Sequence, residues 1–142
     1  MTVNLPMPRA CAEFGSFQEV LGLWRFHPDS TSESLSRACI QSVLKNRHPH
    51  LLDDIALATS ELVANAVVHA KTELHVVVEL WQYMIRIGVV DHSEAPPVPQ
   101  QPDTTSEGGR GLFIVDSVSD TWGYDYVAHG KCVWAGFRLS SV

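Results

Sequence analysis

Two apolar, β-branched runs, LHVVVEL (residues 74–80) and YMIRIGVVD (residues 83–91), are separated by only a few residues. Such a pair reads as an antiparallel hairpin. The terminal segment WGYDYVAHGKCVWAGFRLS (residues 122–140) reads as a second hairpin. Upstream, VLGLWRFHP alternates around Leu21, Leu23 and Arg25 as a strand stopped by Pro28. DSTSESLSRACIQSVLKNR then offers several N-caps, with Leu35, Ala38, Cys39, Ser42 and Val43 at helical spacing. A second helix is expected from about Leu52 to Ala70, with Asp53 or Asp54 near its positive end. LFIVDSVSD carries Leu112, Val115 and Val118 at helical spacing. Strands grouped with strands predict an α+β fold: a two-layer sandwich of a mainly antiparallel sheet with helices on one face.

With 142 residues, the chain suits one hydrophobic core. Residues 1–18, which include Pro6 and Pro8, are expected to form a flexible N-terminal arm, and residues 19–142 a single domain. Sixteen acidic against ten basic residues, with no Lys/Arg cluster, argue against direct nucleic-acid binding. There is no run suited to a signal peptide or a membrane span, so no membrane partner is expected. Three cysteines far apart in sequence suit a reducing cytoplasm better than a disulfide framework.

Three features bear on chemistry. In ELVANAVVHA, Glu61, Asn65 and His69 recur every four residues, which stacks them along one side of a helix. Asp54 and the small Ala58 fall in the same sector, Ala58 leaving room for a ligand beside Glu61. Periodicity alone favours a solvated face, whereas the absence of lysine and arginine from the sector favours a polar ligand. Asp91 ends the second hairpin strand; it can cap the following loop or accept an N–H from a ligand amine. SEGGRGLFIVD places Gly108, Gly109 and Gly111 before a helix, which suits either a flexible connector or an anion site. Ser93 to Gly111 make up 19 residues with four prolines and three glycines, a length that is usually functional or disordered. The histidines have no zinc-like spacing, and no G-x-S-x-G nucleophile elbow occurs.

In that order, the Glu-x-x-x-Asn helix, the strand-end Asp and the Gly-Gly-x-Gly turn resemble the GHKL superfamily of ATP-binding domains. Within it, ELVANAVVHA, VVDHS and GGRGLFIVD resemble the stand-alone anti-sigma-factor serine/threonine kinases. LWRFHPDSTSESLSRA and GKCVWAGFRL resemble the actinobacterial branch of that group, over roughly Leu23 to Leu139. The resemblance implies ATP and Mg²⁺ as cofactors, with Asn65 holding the metal and Glu61 acting as general base. It implies that Asp91 accepts the adenine amino group. Gly108, Gly109, Arg110, Gly111 and Leu112 then surround the phosphates, and residues 93–108 form a lid. The implied partners are a sigma factor and a STAS-type anti-anti-sigma protein, with homodimerisation through the first strand and helix. A binding module without kinase activity is the alternative.

Two departures stand out. Many relatives carry D-x-G-x-G at the adenine site, but here the text is Asp91-His92-Ser93-Glu94-Ala95. Kinases of the family often place a basic residue where Glu107 stands, which leaves Arg110 as the cation expected near the γ-phosphate.

Overall fold

A computed structural model of the chain describes residues 11–97 and 111–139. Strands β1 (Phe17–Phe26), β2 (Leu74–Trp81), β3 (Met84–Asp91), β4 (Thr121–Val127) and β5 (Gly130–Arg138) form one antiparallel sheet in the order β1-β2-β3-β5-β4. Helices α2 (Ser32–Leu44), α3 (Leu52–Asn65) and α4 (Gly111–Val118) pack on one face, giving the expected α+β sandwich.

The sheet alternates with period two. Ile85, Ile87 and Val89 of β3 join Val133, Ala135 and Phe137 of β5 beneath the helices. Helix α3 answers with Ile55, Ala58, Leu62, Val63 and Ala66. Each fully buried Ile, Leu or Val there contributes about 1.5–3 kcal/mol relative to exposure.

The opposite face is apolar too, but it holds a charge pair. Phe14 packs edge-on against Trp81 (5.6 Å) and Trp134 (5.7 Å). Between these rings Arg86 Nη1 donates to Glu79 Oε1 at 2.8 Å, and its guanidinium carbon lies 5.5 Å from the Trp134 ring centroid. Arg86 is fully buried, and its Nε has no hydrogen-bond acceptor among the described residues. Burial pushes the neighbouring Cys132 thiol up to about 12, so it acts as apolar filling rather than as a nucleophile.

Several boundaries differ from the sequence expectation. Residues 11–18 are not simply an arm: helix α1 (Cys11–Phe14) precedes β1, and Phe14 is wholly buried. Its aromatic partners lie far along the chain, where local sequence gives no sign of them. Residues 1–10 lie outside the described residues. Helix α2 buries Ser32, Ser36, Ile40 and Leu44, leaving Leu35 51% exposed and Ala38 exposed. The Ser36 hydroxyl donates to the Glu33 carbonyl at 2.7 Å, so a serine can sit inside without an unmet donor. Asp29, not a residue at the helix start itself, secures the entry by accepting the Thr31 N–H at 2.8 Å. The second helix widens after Asn65 into a π-type turn over Ala66–Ala70, which closes with Lys71 N–H donating to the Ala66 carbonyl at 3.1 Å.

The Arg86–Glu79 pair sets a stability test. Glu79→Ala strands a buried guanidinium and is expected to cost about 3–5 kcal/mol, whereas Glu79→Leu with Arg86→Met is expected to be close to neutral. Urea denaturation of the two variants checks this; equal losses would contradict it.

Candidate functional site

Two cavities open between α3, α4 and the ends of β3 and β5. The first, of about 310 Å³, is bounded by Glu33, Glu61, Asn65, His69 and Gly111. The second, of about 190 Å³, is bounded by Leu62, Ala66, Val89 and Val133 as apolar walls, with Asp91 and Lys131 as polar ones. Asn65 and His69 line both, so the chambers adjoin in one cleft. One chamber carries two carboxylates beside Asn65 and His69; the other is largely apolar with a single charged wall.

Local structure explains this division. Glu61 and Asn65 lie one turn apart on α3, while Leu62 and Ala66 of the same helix face the sheet. The start of α4 comes in close: a Cβ on Gly111 would lie 3.3 Å from Glu61 Oε2. Any side chain at this position therefore crowds the carboxylate. Ala58 does not line the cleft as the sector suggests; it is wholly buried in the core, and Asp54 is exposed beyond the cleft. The helix is rotated towards the sheet by the apolar demand of Ile55, Leu62 and Val63.

The Glu61 carboxyl is held above its ordinary value, first by burial and then by the facing Glu33 carboxylate, with Arg37 opposing the shift. Glu33 sits 3.8 Å from Arg37 Nη1 and accepts a long hydrogen bond (3.4 Å) from the Ser60 hydroxyl. Sequence reasoning missed Glu33, because nothing local indicates which side of α2 meets α3.

Asp91 is almost wholly buried and well partnered. Lys131 Nζ lies 3.0 Å from its Oδ2, and Ser93 N–H donates to its Oδ1 at 2.8 Å. The residue that caps the bend is thus also a wall of the cavity. The Ser93 hydroxyl in turn accepts the Ala95 N–H at 3.2 Å, and His92 N–H donates to Thr72 Oγ1 at 3.0 Å. Side-chain hydrogen bonds therefore shape the bend after β3. Lys131 was also missed, although the β3–β5 register sets it directly across from Asp91. Arg110 is consequently not the sole cation to consider near the cleft. Gly108, Gly109 and Arg110 lie outside the described residues, as does most of the expected lid; Gly111 and Leu112 open α4, and both are buried.

A family model for the histidine kinase-like ATPase domain matches residues 26–137. The chain belongs to that family. Membership implies ATP binding. Among solved structures, the RsbU and RsbW domains of Rv1364c from Mycobacterium tuberculosis align with a TM-score of 0.59 at 20% identity. The alignment covers 82% of this chain and 32% of that one, so the present chain spans about a third of that protein's length and the likeness is one of fold. A comparison with curated proteins finds no match. No helix among the described residues is long and apolar enough to cross a membrane.

Glu61 provides a test of site electrostatics. Its folded value lies above its unfolded one, so any stability it lends exists only at acid pH and disappears as pH rises through the folded value. Near neutrality ionised Glu61 is a net burden, and Glu61→Gln is expected to raise Tm by roughly a degree or two. That gain should vanish below the ordinary carboxylate range. Calorimetry across pH checks it, and a lower Tm for the variant at neutral pH would contradict the assignment.

Proposed function

We propose that the chain is an ATP-dependent anti-sigma factor that sequesters a sigma factor and phosphorylates a serine or threonine of a STAS-type antagonist. The supporting observation is the divided cleft, with Glu61 and Asn65 in its polar chamber and Asp91 in its apolar one. An apolar slot with one charged wall suits a purine ring, and a polar chamber one helix turn away suits a polyphosphate. Asp91 then accepts the adenine amino group, and a base lacking that amine leaves a buried carboxylate less well paired.

The polar chamber presents two carboxylates, and a triphosphate beside them requires a cation. Its donors are the carboxamide of Asn65 and the carboxylates of Glu61 and Glu33, all oxygen atoms suited to a hard divalent ion. Asn65 would hold Mg²⁺, which when bound offsets phosphate charge. No cluster of three His, Cys, Asp or Glu side chains occurs among the described residues, and Mg²⁺ bound mainly by phosphate and water requires none.

In transfer, the antagonist hydroxyl oxygen attacks the γ-phosphorus, Glu61 takes the hydroxyl proton, and the bond to the β–γ bridging oxygen breaks to release ADP. The raised Glu61 value supports this role, because a more basic carboxylate takes the proton more readily. Gly111 and Leu112 bring the start of α4 to the phosphate end; Gly108, Gly109 and Arg110 belong to the same proposal as phosphate-binding residues. A cytoplasmic homodimer belongs to the same proposal. Phe17, Val20 and Leu23 on the edge strand β1 are each close to half exposed and offer a surface for a second copy. A purely monomeric species in sedimentation would remove that part.

A second reading, a regulatory module without kinase activity, draws on the acidic surroundings of Glu61, since Glu33 repels the same phosphate oxygens.

Titration calorimetry and radiolabel transfer separate the two. Asn65→Ala and Asp91→Asn are each expected to weaken Mg-ATP binding by about tenfold or more. Glu61→Ala should retain ATP but lose about a hundredfold or more of label transfer to the antagonist. Transfer undiminished in Glu61→Ala would refute the base assignment; binding with no transfer from the parent would favour the second reading.

A further inference from the structure

The apolar chamber has one feature that the proposed roles do not use. Lys131 is nearly as buried as Asp91, their side chains being 6% and 2% exposed. Its ammonium lies 3.0 Å from Oδ2 and 3.1 Å from Oδ1 of that carboxylate. The backbone leaves it little choice of position. Asp91 and Lys131 are cross-strand partners, and Gly130 has no room for a Cβ against the Asp91 carbonyl. The two strands therefore meet at this point without slack.

Hydrogen-bond capacity remains on both groups. An ammonium has three N–H donors, and among the described residues Asp91 is its only acceptor. The carboxylate has about four lone-pair sites. Lys131 and the Ser93 N–H occupy Oδ1, and on Oδ2 only the Lys131 contact is made. Among the described residues, a donor and an acceptor with spare capacity thus lie side by side on one wall of a largely apolar chamber. A solitary carboxylate would read one atom of a ligand; this pair reads two adjacent atoms, one donating and one accepting.

We propose that Lys131 is a specificity-determining residue of this cleft: its ammonium donates to ring nitrogen N1 of a 6-aminopurine while Asp91 accepts from the 6-amino group. The inference rests on the nucleotide reading of the cleft and adds to it. Lysine here does more than neutralise Asp91, because a buried donor left without an acceptor penalises any base that lacks N1.

The decisive probe is 1-deaza-ATP, in which N1 is replaced by C–H and nothing else changes. Calorimetry in Mg²⁺ compares it with ATP for the parent, for Lys131→Met, and for Asp91→Asn with Lys131→Met, which removes both charges and guards against failure of the single variant to fold. The parent is expected to prefer ATP by about tenfold or more. In each folded variant the preference should fall to about one. A parent preference below about twofold overturns the inference and leaves ATP binding intact. So does a preference that survives in the variants, since a water would then be the donor. Loss of all ATP binding in both variants also overturns it, because a single donor does not carry the whole affinity. Failure of the parent to bind ATP removes the nucleotide reading itself, and this inference with it.

Discussion

The contact between α3 and the sheet governs the rest of the molecule. Ile55, Ala58, Leu62 and Ala66 must face β3 and β5 to be dry, and that demand fixes the rotation of the helix. Glu61 and Asn65 are carried to the rim as a consequence. Neither is chosen by its own energetics: a partly buried carboxylate beside Glu33 is worse solvated than one in water, and its raised value records the cost. The apolar residues between them hold it there. The widened turn that follows, closed by Lys71 in the left-handed conformation, ends the helix just beyond the cleft. Such turns are frequent at functional sites.

Two buried ion pairs lie on opposite faces of the same sheet, and their surroundings set them apart. Arg86–Glu79 is enclosed by Trp81, Trp134 and Phe14. Lys131–Asp91 forms a wall of the apolar chamber. Both arise from strand registers that set charged residues opposite or nearly opposite each other: Glu79 pairs with Arg86 across β2 and β3, and Asp91 with Lys131 across β3 and β5. Enclosure makes the first a structural element whose value lies in being complete. Access makes the second available to a ligand.

Much of this was legible in residue order. The β-branched runs of β2 and β3, and the turn between β4 and β5, declare themselves because strand periodicity is local. The four-residue spacing of Glu61 and Asn65 is local as well. What depended on tertiary contact was not legible. Leu35 reads as a core residue of α2, yet Ser36 and Ile40 take that place, since which face turns inward depends on where α3 lies. Phe14 sits in a stretch that reads as a loose arm, because its aromatic partners come from β2 and β5. Glu33 and Lys131 escaped notice for the same reason. A lysine inside the apolar run GKCVWAGF was the one available hint, and it gains meaning only through the register opposite Asp91.

The central claim is that nucleotide enters between the C-terminal half of α3, the end of β3 and the start of α4. Hydrogen–deuterium exchange with and without saturating Mg-ATP tests it most directly. Protection is expected in residues 61–71, 89–97 and 111–115, with residues 17–24 of β1 unchanged. Protection centred on the Trp81–Trp134 face, with none along α3, would contradict it.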